Sequence, residues 1–185
     1  VQTLFTVIFD PDFLKTVWYS AARILGGFFT ALTLGTVLGW VASRFWVVET
    51  LLRPITAVIK ATPVASFIIL VLLWFSGKNL SVIISMLMVF PVIYMNVLEG
   101  IRSADKKLLE MAQVFRLSVS KKLLYIYLPA VAPFFVSACS VSLGLCWKSG
   151  IAAEVIGTPD GSIGAVFYQA KIFLQTSELL CLLYT

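Results

Sequence analysis

The sequence predicts an all-α integral membrane protein, a polytopic helical bundle in a single domain over residues 1–185. Composition is the first reason. Hydrophobic residues make up 60% of the chain and charged residues only 12%, whereas soluble domains carry about 25% charged residues. Mean hydropathy is +0.99, so the chain lacks the polar surface that water demands. The second reason is the arrangement: the apolar residues form long runs without period-2 alternation, which argues against barrel strands. Backbone polar groups in lipid must then pair inside helices. Thirdly, the basic residues collect between the runs, as they do beside membrane spans.

A span needs about 20 apolar residues to cross the hydrocarbon. The first run covers Val17 to Ala42 and contains Gly35 and Gly39 in a GxxxG pair, a pattern that lets helices approach closely. The second covers Ile55 to Phe75 and is interrupted by Lys60 and Thr62-Pro63. Its uninterrupted part, Val64 to Phe75, is too short to cross alone, so Pro63 is expected in the first turns of a helix or at a kink. Residues 76–79 read as a turn. The third run covers Leu80 to about Leu98 and holds Pro91; the fourth covers about Leu128 to Ile151. Thr158-Pro159-Asp160-Gly161 reads as a tight turn with proline second. A last apolar segment begins near Ile172 and stops at 185. With Val1 in place of a methionine, both ends read as truncated.

Orientation follows from the basic residues. If the stretch from Glu99 to Tyr127 is cytoplasmic, Arg44, Arg53, Lys60, Arg102, Lys106, Lys107, Arg116, Lys121 and Lys122 share that side. Lys15, Arg23, Lys78, Lys148 and Lys171 remain for the other. The net charge of +5 is therefore read as this bias rather than as a nucleic-acid footprint. Cys139, Cys146 and Cys181 lie in apolar surroundings and there is no histidine. They read as packing residues, without metal-ligand spacing.

The densest polar stretch, residues 100–127, separates two of the most apolar runs. Ser103 or Asp105 is placed to cap a short helix. Leu108, Ala112 and Phe115 recur at i, i+4 and i+7 with Met111 beside them, giving one apolar stripe. Lys106, Lys107, Glu110 and Gln113 fill the remaining surface. Arg116-Leu117-Ser118 breaks the pattern, and Ser120 is placed to cap the next helix. Such a helix either lies on lipid headgroups or fits a groove on a cytoplasmic protein; amphipathicity alone does not separate the two.

Glu110-Met111-Ala112, then Arg116, then Ile126-Tyr127-Leu128-Pro129 resembles the signature of binding-protein-dependent ABC importer permeases. That signature reads E-A-A, three residues, G, nine residues, I-x-L-P. Met111 stands for an alanine, and Arg116 stands where the family has the glycine that turns the chain. Arginine adopts a left-handed backbone poorly. The resemblance covers nearly the whole chain. "LRPITAVIKATPVASFIILVLLWFSG" resembles a family span, and "SLGLCWKSGIAAEVIG" with "GSIGAVFYQAK" resembles the nitrate/sulfonate/taurine-type subgroup.

The resemblance implies a MetI-like fold with a cytoplasmic coupling helix at about Asp105 to Phe115. Glu110, Met111, Ala112, Phe115 and Arg116 would serve ATPase coupling. It implies cytoplasmic ATP-binding subunits, a second permease subunit, identical or sibling, and an extracytoplasmic solute-binding protein. The setting would be the bilayer of a bacterial inner membrane. The cargo would be a small solute: an anion such as a sulfonate or nitrate, or a vitamin precursor. The chain itself lacks a G-x-x-x-x-G-K-[ST] phosphate loop, so it is not expected to hydrolyse ATP alone; with no histidine and no nucleophile–base pair, no catalysis, cofactor or metal is expected of it. Lys148 and Glu154 bracket the outer end of the fourth run. They read either as an ion pair or anchor, or as pathway groups, Lys148 drawing in an anion. An ATP-independent secondary transporter or channel is the alternative. It would want carboxylates within a span, and Glu99 and Glu154 lie at span ends.

Overall fold

The computed structural model describes residues 11–75 and 77–173, and every regular element among them is helical. The order is α1 (Pro11–Arg44), α2 (Trp46–Ala61), α3 (Val64–Trp74), α4 (Gly77–Arg102), α5 (Lys106–Val114), α6 (Val119–Lys122), a π-helical segment (Leu123–Tyr127), α7 (Leu128–Gly157) and α8 (Ile163–Ile172). Three runs are long and apolar enough to cross a membrane by length and composition: Phe13–Arg44, Gly77–Arg102 and Val119–Gly157. A fourth qualifies only if α2 and α3 are taken together as one broken span. The segment expected to begin near Ile172 is preceded by α8; most of it, with Cys181, lies outside the described residues.

Of the two places expected for Pro63, the structure gives the start of a helix: Pro63 is the N-cap of α3, and the chain bends between α2 and α3. Pro63 has no N–H for a helix and disfavours helical backbone at Thr62. Ala61 ends α2 and Val64 starts α3 with no side-chain cap. The fourth run is longer than expected at both ends. Ser118, not Ser120, holds the N-cap position, and its hydroxyl makes no capping bond. Helix then passes through the π-helical segment, where the Leu128 amide donates to the Leu123 carbonyl five residues back. The wider turn leaves room for the ring of Pro129, which would otherwise press on the carbonyl four residues earlier. At the other end α7 reaches Gly157. The turn that follows is shifted by one residue: the Ser162 amide donates to the Pro159 carbonyl at 3.2 Å. Gly161 sits third in that turn with φ +73°, a conformation glycine adopts freely.

The residues divide into two compact units, and α1, α4 and α7 contribute to both. Among the described residues, one unit contains those of 11–29, 62–86 and 145–173; the other contains 30–61 and 87–144. In the first, small residues let helices touch through their backbones. A Cβ at Gly27 of α1 would stand 2.5 Å from the Val82 carbonyl oxygen of α4, and one at Gly77 would stand 2.6 Å from the Gly157 carbonyl oxygen. In the second, Gly35 and Gly39 of the GxxxG pair accept α4: Cβ atoms there would meet Ile93 and Val97 at 3.0 Å. Ala42, Tyr94 and Leu98 form a core there with Leu38, Val48, Leu52 and Phe90 packed around it.

Candidate functional site

The stretch singled out in the sequence folds as a short helix held at both ends. Asp105 is the N-cap of α5; its carboxylate accepts the Lys107 amide at 2.8 Å. This satisfies one of the donors that a helix start leaves open. At the far end the Arg116 amide donates to the Gln113 carbonyl at 3.0 Å and the Leu117 amide to the Ala112 carbonyl at 2.9 Å. That bonding pair is a Schellman closure, which needs a left-handed residue just past the cap. Arg116 is that residue, with φ 51°. The arginine therefore takes up the backbone shape that a glycine would adopt, at a cost of roughly 1–2 kcal/mol. The two closing hydrogen bonds and the packing of Leu117 offset it. Leu117 joins Leu109 in packing on a core of Ala104, Ala112 and Ile126.

Ala112 is 0% exposed, so the expected stripe of Leu108, Ala112 and Phe115 is not one face. Ala112 points into its own chain and offers no surface to a partner. The outer face carries Leu108, Met111, Val114 and Phe115, at 43%, 47%, 80% and 71% exposure. Glu110 and Arg116 are also exposed, and neither has an ion-pair partner among the described residues. Sequence reading passed over Val114 and Leu117. The signal for Val114 was its place three residues after Met111, and for Leu117 its place two beyond the cap, where Schellman closures bury an apolar side chain.

The second candidate pair separates. Lys148 is exposed, whereas Glu154 is 1% exposed. Glu154 accepts the Ser20 hydroxyl at 2.6 Å, and the Ser20 oxygen in turn accepts the Ile163 amide at 3.0 Å. α1, α7 and α8 are thus joined through one buried serine. Gly164 packs on the Glu154 backbone so closely that a Cβ would overlap it. The other carboxylate oxygen of Glu154 is buried without a hydrogen-bond partner. Ser20 carried no sequence signal, being 134 residues away from Glu154.

Other polar residues near the expected spans have local partners. Asn96 donates to the Val92 carbonyl of its own helix at 2.8 Å. The Arg23 guanidinium lies over the Tyr19 ring, 5.1 Å from its centre, and donates to the Tyr19 hydroxyl. An ion pair joins Glu49 of α2 to Arg102 of α4 at 2.5 Å. No group of three or more potential metal ligands exists among the described residues.

Residues 31–185 match the family described as "Binding-protein-dependent transport system inner membrane component". The chain is 29% identical over 181 residues to SsuC of Bacillus subtilis (strain 168), named for aliphatic sulfonates transport as a permease protein. That match takes in 97% of the chain and 65% of the relative. It is 26% identical over 186 residues to the taurine transport system permease protein TauC of Escherichia coli (strain K12), covering 97% and 67%. To the nitrate import permease protein NrtB of Synechococcus elongatus it is 27% identical over 153 residues, covering 82% and 54%. The chain spans about half to two thirds of the length of these curated relatives. With most of its length matched, it belongs to the family of binding-protein-dependent transport system inner membrane components.

Proposed function

We propose that this chain is the membrane-embedded part of a permease subunit in an ATP-driven importer of the bacterial inner membrane. Two such subunits, identical or siblings, would enclose the pathway. A solute-binding protein would deliver cargo from outside, and ATP-binding subunits would dock on the cytoplasmic side. The observation that carries this reading is α5. It is anchored inward by Ala112, closed by Asp105 and Arg116, and turns four large apolar side chains outward. Such a helix fits a groove as a ball fits a socket, with Glu110 and Arg116 as charged flanks. Movement of the ATPase would reach the membrane helices through the rigid joint at Leu117.

The cargo in this reading is a small anion. Sulfonates, taurine, nitrate and bicarbonate appear in the names of relatives. Lys148, exposed on α7, is the group proposed to draw an anion in. Glu154, sealed against Ser20, braces the wall beside it. No step of chemistry falls to this subunit; ATP hydrolysis belongs to the partner.

The test is co-purification of the full-length protein with its candidate ATPase in detergent. The ATPase is expected to be retained by the unaltered protein and lost with Glu110→Arg, which leaves the exposed helix folded. Retention that ignores this reversal, or no retention at all, would put the ATP-independent transporter first and leave α5 as a helix on lipid headgroups.

A further inference from the structure

A groove of about 850 Å³ lies within the second unit, between the ends of α1 and α4 and the helix that begins at Val119. Its wall is divided by chemistry. Val97, Ile101, Leu124, Leu128 and Val131 form an apolar floor. Arg44 and Lys122 stand in the lining, no carboxylate lines it, and neither cation has an acidic partner among the described residues. Trp40 and Tyr127 complete it, the two residue types that favour the boundary between headgroups and hydrocarbon.

Ordinary helix electrostatics accounts for only half of the charge. Arg44 is in the last turn of α1, where a cation is favoured. Lys122 is in the first turn of the run that starts at Val119, where the exposed amides already make the potential positive. A second positive group there is unfavourable without an anion nearby. The π-helical segment contributes Leu123, Leu124 and Tyr127 to the same wall, and such widened turns often mark functional positions.

We propose that this groove binds an anionic phospholipid, its headgroup phosphate between Arg44 and Lys122 and an acyl chain along the apolar floor. Basic pockets between membrane helices on the cytoplasmic side suit that ligand, and the basic-residue bias puts this groove on that side. An apolar helix from another subunit is a poorer occupant because it would bury two cations without neutralising them. The proposal rests on the chain being membrane-embedded, and is independent of which solute it carries.

The test is native mass spectrometry of the full-length protein from bilayers of phosphatidylcholine with phosphatidylglycerol added. The protein is expected to retain phosphatidylglycerol selectively. Arg44→Ala with Lys122→Ala should weaken that retention by roughly 30-fold, the contribution of two basic side chains at an anionic surface. Arg44→Lys with Lys122→Arg should restore it. Leu124→Trp, at a position 55% exposed, fills the groove without touching the charges and should also expel the lipid. Lys78→Ala, outside the groove, should change nothing. Equal retention of phosphatidylcholine, retention unaffected by the double alanine variant, or a cross-link from Leu124→Cys to another protein segment would overturn the proposal. Failure of the unaltered protein to bind any ATPase, with selective lipid retention intact, would count against the importer reading alone.

Discussion

The buried knot at Glu154 and the short helix α5 meet the same demand in opposite ways. Each must satisfy the polar groups of its backbone and side chains, the knot without water and the helix at its ends. The knot does it across the sequence. A serine from α1, a glutamate from α7 and an amide of α8 share hydrogen bonds, and glycines bring the backbones into contact. The helix does it locally. One carboxylate closes the start, two amides close the end, and a single alanine seats it. The knot leaves no outward face. The helix leaves most of its side chains outward. One region is built to stay fixed, the other to be held and still present a surface.

The contrast breaks most readily at the knot. Gly164→Val puts carbon where the Glu154 backbone already is. We expect a loss of about 3 kcal/mol or failure to accumulate in the membrane, read by thermal unfolding in detergent. A normal melting temperature would mean the helices part there without cost. Next comes Glu154→Ala, which strips the Ser20 hydroxyl of its acceptor and should cost about 2 kcal/mol. Glu154→Gln keeps a carbonyl oxygen for Ser20 and should cost less than half as much. Equal losses would show that the negative charge, not the hydrogen bond, matters.

At α5 the effects should be smaller on folding and larger on docking. Ala112→Leu overfills the seat and should cost about 1–2 kcal/mol while lowering ATPase retention, because the helix tilts off its base. Preserved retention would mean that the seat does not set the helix's pose. The smallest effect is expected at Arg116. Arg116→Gly relieves the left-handed strain of about 1 kcal/mol, partly cancelled by the greater freedom of glycine when unfolded. Arg116→Val should destabilise, since a branched side chain fits that backbone worst. If glycine and valine behave alike, the Schellman closure is not what holds the end.

These contrasts also explain what the sequence disclosed. Local rules located α5 well. Asp105, one of two capping candidates, follows from short-range backbone chemistry, whereas the Arg116 position came from the resemblance to the permease signature. The spacing of glycines in α1 likewise pointed to the face that meets α4 in the second unit. Three features were hidden. Whether Pro63 starts a helix or kinks one was left open because proline is compatible with either outcome, and neighbouring packing decides. The orientation of Ala112 was hidden because five apolar residues on a nine-residue helix leave the inward face ambiguous. The Ser20–Glu154 contact was invisible because nothing in a serine announces a partner 134 residues away.

The most direct measurement of the central claim is site-directed cross-linking from α5 to the ATPase. It uses full-length protein lacking Cys139, Cys146 and Cys181, with single cysteines placed at 111, 112 and 114. The account predicts strong cross-links from Met111→Cys and Val114→Cys and none from Ala112→Cys, because the first two face outward and the third is sealed. Uniform absence of cross-links, with the outward cysteines reacting instead with lipid-soluble reagents, would contradict it and place α5 on the membrane surface.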